Sequence, residues 1–588
     1  MQKSYRTIKK KSRLRQFIGN SITVSILTYF SVRLHTLLGK SFLSGLFASS
    51  DSTDTAKNSG LLSVIGEKTH AGTVFSVIRR AFSSSVESSG IIKLYRLLIR
   101  TFMATSVRSF GVFFISAGLY SLLAYAIRIF MVGSIARTQA DAVVIALMVL
   151  ISVFLIFSKK SLGKKISESL LFCFFLDLIG INRLAINGEA PSVNHFLAAF
   201  FAGLAFGVAG FFLSPVSVIL YIITAFTALI ILYSPESGLL ISMVSIPFGN
   251  EDKLFLILLA TLVSYSLKLL RGKRNLTFKS EDLPAVFFAV IFMLAFPYSG
   301  IWKLLILVSS YLMASNLMRN VSLLKKSVYC LSLGLMIKAF IQTALFIFGY
   351  LNINFTLLTG LSPGAYLNYS EFMIIAALPF SVYLLTMKES GFHIIFRMLF
   401  VVSSLFNVCV SMSDEVWLIA FVCLFIYLVY RTVRFFNVLF VFATALPVIY
   451  YIREIVSIFN YIEPYKPSGI ITGTPEMLPL LFGGQQFGGA GLYGILAESL
   501  GIMGCVLGVI FLVLLLSRSF TSSSLSRDSG MRGLCAVFIT GLAVFLLLGI
   551  SKNTFDTGNG ILLFWIICGL VSATGNAVPT HASNEDFT

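Results

Sequence analysis

The chain of 588 residues carries 45 Lys and Arg against 25 Asp and Glu, a net charge of +20, yet only 12% of its residues are charged and 57% are hydrophobic. Water-soluble domains are about a quarter charged, so a soluble globular enzyme is excluded, and so is disorder, which needs low hydrophobicity. The seven Cys are too sparse for a secreted disulfide scaffold; each lies within or beside an apolar run and none forms a CxxC pair, which reads as small buried side chains.

The first fifteen residues hold Lys3, Arg6, Lys9, Lys10, Lys11, Arg13 and Arg15, ahead of a moderately apolar stretch from Phe17 to Val32. That stretch is broken by Asn20 and several Ser and Thr and runs on into Arg33 and His35, so it reads as a cytoplasmic membrane-surface helix and not a cleaved signal peptide. Ser50 to Ser89, rich in Ser, Thr, Gly and Lys, reads as a linker. In Ile91 to Thr105, Lys93, Arg96 and Arg100 fall on one helical face opposite Ile92, Tyr95, Leu98 and Phe102. This pattern fits either a second interfacial helix on anionic headgroups or a cytoplasmic extension of the first spanning helix.

From Ser109 onward, apolar runs recur to Ala573, and a count against the length of a spanning helix gives about 14–16 of them. Basic clusters separate them: Lys159, Lys160, Lys164, Lys165; Arg271, Lys273, Arg274; Arg319, Lys325, Lys326; Lys388; Arg431, Arg434; and Arg518, Arg527, Arg532. Clusters between apolar runs are the positive-inside signal, and no single basic face with aromatic partners points to nucleic acid. All clusters fall on the cytoplasmic side if Ile166 to Ile181 crosses and the short run Gly238 to Phe248, bracketed by Pro235 and Pro247, does not. Both termini are then inside. The segments near Arg183, Leu351 to Asn368, Asp414, Arg453 to Gly488, and Lys552 are outside. The reading is an all-α polytopic protein of the plasma membrane, divided into a basic N-terminal region (1–105), a first set of membrane helices (106–350), a membrane core with the outer loop (351–575) and a polar cytoplasmic tail (576–588).

The outer loop Arg453 to Gly488 contains four Pro, the charges Arg453, Glu454, Glu463, Lys466 and Glu476, and the aromatics Phe459, Tyr461 and Tyr465. Those rings either stack on sugars or form an interfacial belt. The loop closes in GGQQFGGAGLYG, including Gly488, Gly489 and Gly491, which runs into a helix bearing Glu498. Glycines there either let a phosphate approach the helix N-terminus or serve close helix packing. Asp177, Lys338 and Glu498 lie inside apolar runs, where an unpaired charge is costly, so Lys338 is expected to pair with Asp177 or Glu498.

Four stretches of the C-terminal part resemble the bacterial O-antigen ligase and polymerase family. They are GLSPGAYLNYSEFMIIAALPFSVYLL (Gly360 to Leu385), SMSDEVWLIAFVCLFIYLVYRTVR (Ser411 to Arg434), LLFGGQQFGGAGLYGILAESLGIMGCVLG (Leu480 to Gly508) and FWIICGL (Phe564 to Leu570). The resemblance implies a GT-C-like membrane fold with one long extracytoplasmic loop. It also implies transfer of glycan from an undecaprenyl diphosphate-linked saccharide to a glycan or lipid acceptor at the outer face. Two departures stand out: Asp414 occupies the family's Arg position, although Trp417 keeps the aromatic one, and Gly489 falls where members carry His.

Such chemistry needs cations or backbone N–H groups for the leaving diphosphate and a base for the attacking hydroxyl. Arg453, Glu454 and Glu463 are the candidate catalytic residues. Lys466, Asn368, Tyr369, Tyr461, Tyr465, Trp417, Gly488, Gly489 and Gly491 are candidates for substrate binding. No metal and no cofactor are expected; membrane lipids are partners. The alternatives are a peptidoglycan polymerase, which ILAESLGIMGCVLG also resembles, a flippase or other transporter of lipid-linked glycan, and a non-catalytic homologue.

Overall fold

The computed structural model describes residues 100–132, 139–169, 193–213, 215–248, 251–271, 282–295, 301–350, 492–525, 529–551 and 558–576, with single positions between them and a few near 380–402. The described chain is all α-helical. Its only extended pairings are isolated bridges, Thr105 with Val193 and Ser106 with Ser161.

The helices are α1 Val107–Val132, α2 Gln139–Ile156, α3 Leu162–Glu168, α4 Phe196–Phe212, α5 Pro215–Tyr233, α6 Pro235–Ser245, α7 Glu251–Leu270, α8 Asp282–Ala295, α9 Ile301–Leu317, α10 Val321–Tyr350, α11 Leu492–Leu525, α12 Ser529–Ser551 and α13 Gly558–Asn576. Val107–Ile127 and Asp252–Leu270 are long and apolar enough to cross a membrane, and seven shorter segments are mainly apolar. Their outward faces are apolar too: Phe130, Phe154, Phe157, Leu197 and Phe212 are all largely exposed. Helices that are apolar on every face need an apolar surrounding.

Helix ends gather by charge. The starts of α1 and α4 and the end of α2 are stitched together where Ser106 N–H donates to Val193 O at 3.0 Å, Val107 N–H to Lys160 O at 2.9 Å and Leu162 N–H to Thr105 O at 2.9 Å. The end of α5 joins the end of α7 through Ser264 Oγ, which donates to Leu232 O at 3.2 Å, and Lys268 Nζ, which donates to Tyr233 O at 2.7 Å. The ends of α11 and α13 meet where Ser519 and Thr574 hydroxyls lie 3.1 Å apart. Lys159, Lys160, Lys164, Lys165, Lys268, Arg271, Arg274, Arg319, Lys325, Lys326, Arg518 and Arg532 all belong to this basic end.

This geometry differs from the sequence reading in two linked places. His195 begins α4 at the basic end, its N–H donating to Ser109 Oγ at 3.1 Å, so Ser161 and His195 lie at the same end. Conversely, α6 begins at the basic end beside Arg274 and runs lengthwise along α7, and the 3-10 turn Ile246–Phe248 that continues it ends two residues short of Glu251. The two departures cancel, which is why the basic clusters still share one end. Burial of nearly all residues of α6, from Pro235 to Met243, lets this short helix lie inside the bundle.

Packing follows small residues. Along α4, Gly203, Gly207 and Gly210 face α1; a Cβ on Gly203 would lie 2.7 Å from Phe113 O and 2.9 Å from Ala117 N. Such glycine spacing lets two backbones approach where hydrocarbon surroundings give no hydrophobic drive. The larger core is centred on α13, whose residues from Asn559 to Thr574 are all buried. Trp565 sits among the rings of Phe564, Phe288, Phe292, Phe511 and Tyr311 at centroid distances of 5.5, 5.8, 6.0, 6.0 and 6.2 Å. The FWIICGL stretch is therefore the packing axis of the larger core among the described residues.

Candidate functional site

At the basic end, several polar groups pair and fix helix ends. Ser234 caps α6, accepting from Ser237 N–H at 3.4 Å, with Pro235 at the first turn. Its hydroxyl also donates to Glu236 Oε2 at 3.0 Å. Arg274 grips the other oxygen of Glu236 through Nε at 2.7 Å and through Nη2 at 2.5 Å. Arg319 Nη2 donates to Asn316 Oδ1 at 2.7 Å, and burial pushes its guanidinium below the ordinary value. Tyr311 Oη donates to Asp282 Oδ1 at 2.8 Å, joining α9 to the start of α8.

A different kind of polarity lies deeper. Helix α11 is broken at Gly501, whose φ of 64° and ψ of −175° are not helical. Only glycine adopts that conformation readily, and a break leaves N–H and C=O groups of both halves without intrahelical partners. The break lies in the LGIMG stretch three residues after Glu498, whose side chain lies outside the described residues.

Two buried polar side chains share its depth. The register between α9 and α13 is fixed by Gly569, where a Cβ would lie 2.7 Å from Tyr311 O, and that between α11 and α13 by Gly575, where it would lie 2.6 Å from Arg518 Nε. Counting outward at the helical rise places Gly501 about 26 Å from Arg518, Asn559 about 24 Å from Gly575 and Lys338 about 26 Å from Val321, which follows directly on α9. Lys338 is 6% exposed and Asn559 1% exposed. Neither the Nδ2 nor the Oδ1 of Asn559 has a hydrogen-bond partner. Helix α13 packs on α11, α12 and α10, so it stands between the broken helix and the helix carrying Lys338. The layer therefore combines an opened backbone, a buried cation and an unsatisfied amide, at the end of the bundle away from the basic clusters.

Of the expected site residues, Arg453, Glu454, Glu463, Lys466, Asn368, Tyr369, Tyr461, Tyr465, Trp417, Gly488, Gly489 and Gly491 all lie outside the described residues, as do Asp177, Asp414 and the side chain of Glu498. Leu178, next to Asp177, is placed: its carbonyl accepts from Cys330 Sγ at 3.7 Å, two helical turns closer to the basic end than Lys338. Among the described residues, no group of three His, Cys, Asp or Glu converges. Sequence reasoning passed over Asn559, although GNG at the start of an apolar run marks a helix N-terminus with room around it. The break was not read from the Leu480 to Gly508 stretch, although an isolated Gly such as Gly501 in a helical pattern can signal one.

No family model matches the chain, and no curated protein and no solved structure matches it.

Proposed function

We propose that the chain is a multi-pass protein of the plasma membrane that ligates or polymerises envelope polysaccharide, transferring glycan from an undecaprenyl diphosphate-linked donor to an acceptor hydroxyl at the outer face. The observation that carries the reading is the break of α11 at Gly501, because it interrupts the helix that follows the glycine run, remote from the basic end. The one-sided basic end supports the orientation, since basic residues mark the cytoplasmic side of membrane proteins. In this reading the basic end faces the cytoplasm, and the layer of Gly501, Asn559 and Lys338 lies toward the outer face. Arg453 and Lys466 from the outer loop take the leaving diphosphate. Glu454 or Glu463 takes the hydroxyl proton, and Asn368 and Tyr369 orient sugar.

A transporter of lipid-linked glycan is the second reading. It is favoured by the same broken helix together with the buried Lys338, because discontinuous helices and buried charges line transport paths. Reconstitution with an undecaprenyl diphosphate oligosaccharide separates the two. Elongated or transferred glycan, lost in Arg453→Ala, is the expected result. Glycan that crosses the bilayer with no new linkage overturns the enzyme and leaves the transporter.

A further inference from the structure

We infer that the basic end of α1 and α2 is a binding site for an anionic phospholipid of the cytoplasmic leaflet, with one acyl chain lying in the groove between the two helices. The groove has a volume of about 450 Å³, and its walls include Leu122 and Tyr125 of α1 and Ala142, Ala146, Leu150 and Val153 of α2. Gly111 and Gly118 bring the backbones of α1 and α2 together, since a Cβ on either would lie 2.7 Å from a side-chain carbon of Ile156 or Val149. Beside that crossing Ala142 and Ala146, one turn apart, present only methyl groups, so the hollow stays unfilled. From Ala142 to Val153 the groove runs about 17 Å at the helical rise. One leaflet of a hydrocarbon core about 30 Å thick spans about 15 Å, so the groove matches the depth of a single acyl chain.

The second observation is charge at the end of the same face. Ala146, Leu150, Val153 and Phe157 follow one another at helical spacing, so the groove leads to Phe157, which is 82% exposed, and to the lysines directly after it. Arg100, Arg108, Lys159, Lys160, Lys164 and Lys165 are all exposed here, and Glu168 is the one carboxylate beside them among the described residues. Lys160 Nζ pairs with Glu168 Oε2 at 2.5 Å, and Arg108 lies over the Phe196 ring at 5.4 Å, which leaves the surplus strongly positive. The backbone beneath is fixed: Val107 N–H donates to Lys160 O and Leu162 N–H to Thr105 O, both at 2.9 Å, and Ser161 Oγ accepts from Lys164 N–H at 3.4 Å. Cations on a fixed backbone lose less freedom on binding than cations on a loop. Basic clusters at the cytoplasmic interface attract anionic headgroups, and the apolar groove beside this one takes a chain. A lipid therefore matches both halves of the site, whereas a free phosphate or an acidic peptide matches only the charge. The site requires that the chain lie in a membrane, but not that it transfer glycan.

The full chain in detergent micelles is titrated with phosphatidylglycerol and, separately, with phosphatidylcholine of the same acyl chains, and bound lipid is counted by native mass spectrometry. Wild type is expected to hold phosphatidylglycerol at least tenfold more tightly, with a preference that shrinks as salt rises. Lys159→Gln, Lys164→Gln and Lys165→Gln together remove exposed charge and are expected to bring the two lipids close to the same affinity, with the unfolding temperature unchanged. Ala146→Phe fills the groove from an exposed position and is expected to weaken both lipids at least tenfold; Ala142→Phe takes its place if that variant does not fold. Equal affinity for the two lipids in wild type overturns the site, as does an unchanged preference in the lysine variant or an unchanged affinity in the groove variant. Full competition by glycerol phosphate, which has the charge without the chains, overturns it too, and so does a dimer of the chain that forms in place of bound lipid. If the site passes and wild type transfers no glycan, the lipid site stands and the ligase reading falls.

Discussion

Arg274 and Glu236 form a fork in which two guanidinium nitrogens, Nε and Nη2, reach one carboxylate oxygen at 2.7 and 2.5 Å, and that fork ties the first turn of α6 to the chain leaving α7. The two partners are unequal, because the Arg274 side chain is 47% exposed and the Glu236 side chain 9% exposed. Removing either one has different consequences. In Glu236→Gln the Arg274 side chain turns to water and the Ser234 hydroxyl keeps an oxygen to donate to, so the loss is expected at about 1 kcal/mol. In Arg274→Ala the carboxylate is left buried with the hydroxyl alone, and the loss is expected at about 3 kcal/mol. Unfolding of both variants in detergent micelles gives the order. A larger loss for Glu236→Gln refutes the account.

The contact of α1 with α4 includes a close backbone approach at Gly203. Ser116 Oγ, which donates to Val112 O at 2.9 Å and to Phe113 O at 3.0 Å, fills the space in which a Cβ on Gly203 would stand. Gly203→Ala is expected to destabilise by about 1–3 kcal/mol through overpacking. Adding Ser116→Gly relieves the side-chain clash but leaves Phe113 O only 2.7 Å from the new Cβ. The double variant therefore recovers only part of the loss. Full recovery, or no loss in the single variant, contradicts backbone contact at this crossing.

Much of this architecture is legible in residue patterns. The apolar runs and the basic clusters anticipate most described helices and the common location of Lys164, Arg274, Lys325 and Arg518. Length was the weak criterion: α6 is 11 residues, too short to pass as a spanning helix, yet neighbours on every side bury it, a property of tertiary packing and not of its sequence. The polar layer was half visible. Lys338 stands out as a charge in an apolar run, whereas Asn559 is notable only for what its amide lacks, and a missing partner is not written in local sequence. The chemistry-bearing loop residues from Arg453 to Gly491 lie outside the described residues, so the site is carried by its framework and not by those side chains.

Sidedness can be read by labelling. The five described cysteines, Cys173, Cys330, Cys505, Cys535 and Cys568, are free and buried or half-buried, so they give a low background to a membrane-impermeant maleimide. Cysteine placed at Lys164, His195 or Lys325 is expected to label from one side of a sealed vesicle, and at Gln139 or Asp252 from the other. His195 discriminates, because a single crossing by Ile166 to Ile181 puts it with Gln139, whereas the hydrogen bond of its N–H to Ser109 Oγ puts it with Lys164. Labelling of His195→Cys together with Gln139→Cys refutes the arrangement of α1, α2 and α4 at the basic end.

Gly501 separates a functional break from a packing accident. Its φ of 64° with ψ of −175° lies in a region open to glycine almost alone, so Gly501→Ala strains the backbone by about 1–3 kcal/mol if the break persists. Alternatively, the variant heals the break, since alanine is the best helix former, and α11 becomes continuous. Straightening removes the break on which the proposed function rests, so turnover is expected to fall at least tenfold even where thermal stability is unchanged or raised. Gly504→Ala serves as the comparison: its Cβ would meet Leu500 Cβ at 2.5 Å and Ile291 Cγ2 at 3.3 Å, so it loses stability by crowding without closing the break. Glycan transfer and thermal unfolding measured together on the two variants give the answer. If Gly501→Ala retains full transfer with an unchanged or higher melting temperature, the break has no part in the reaction, and the reading built on it fails.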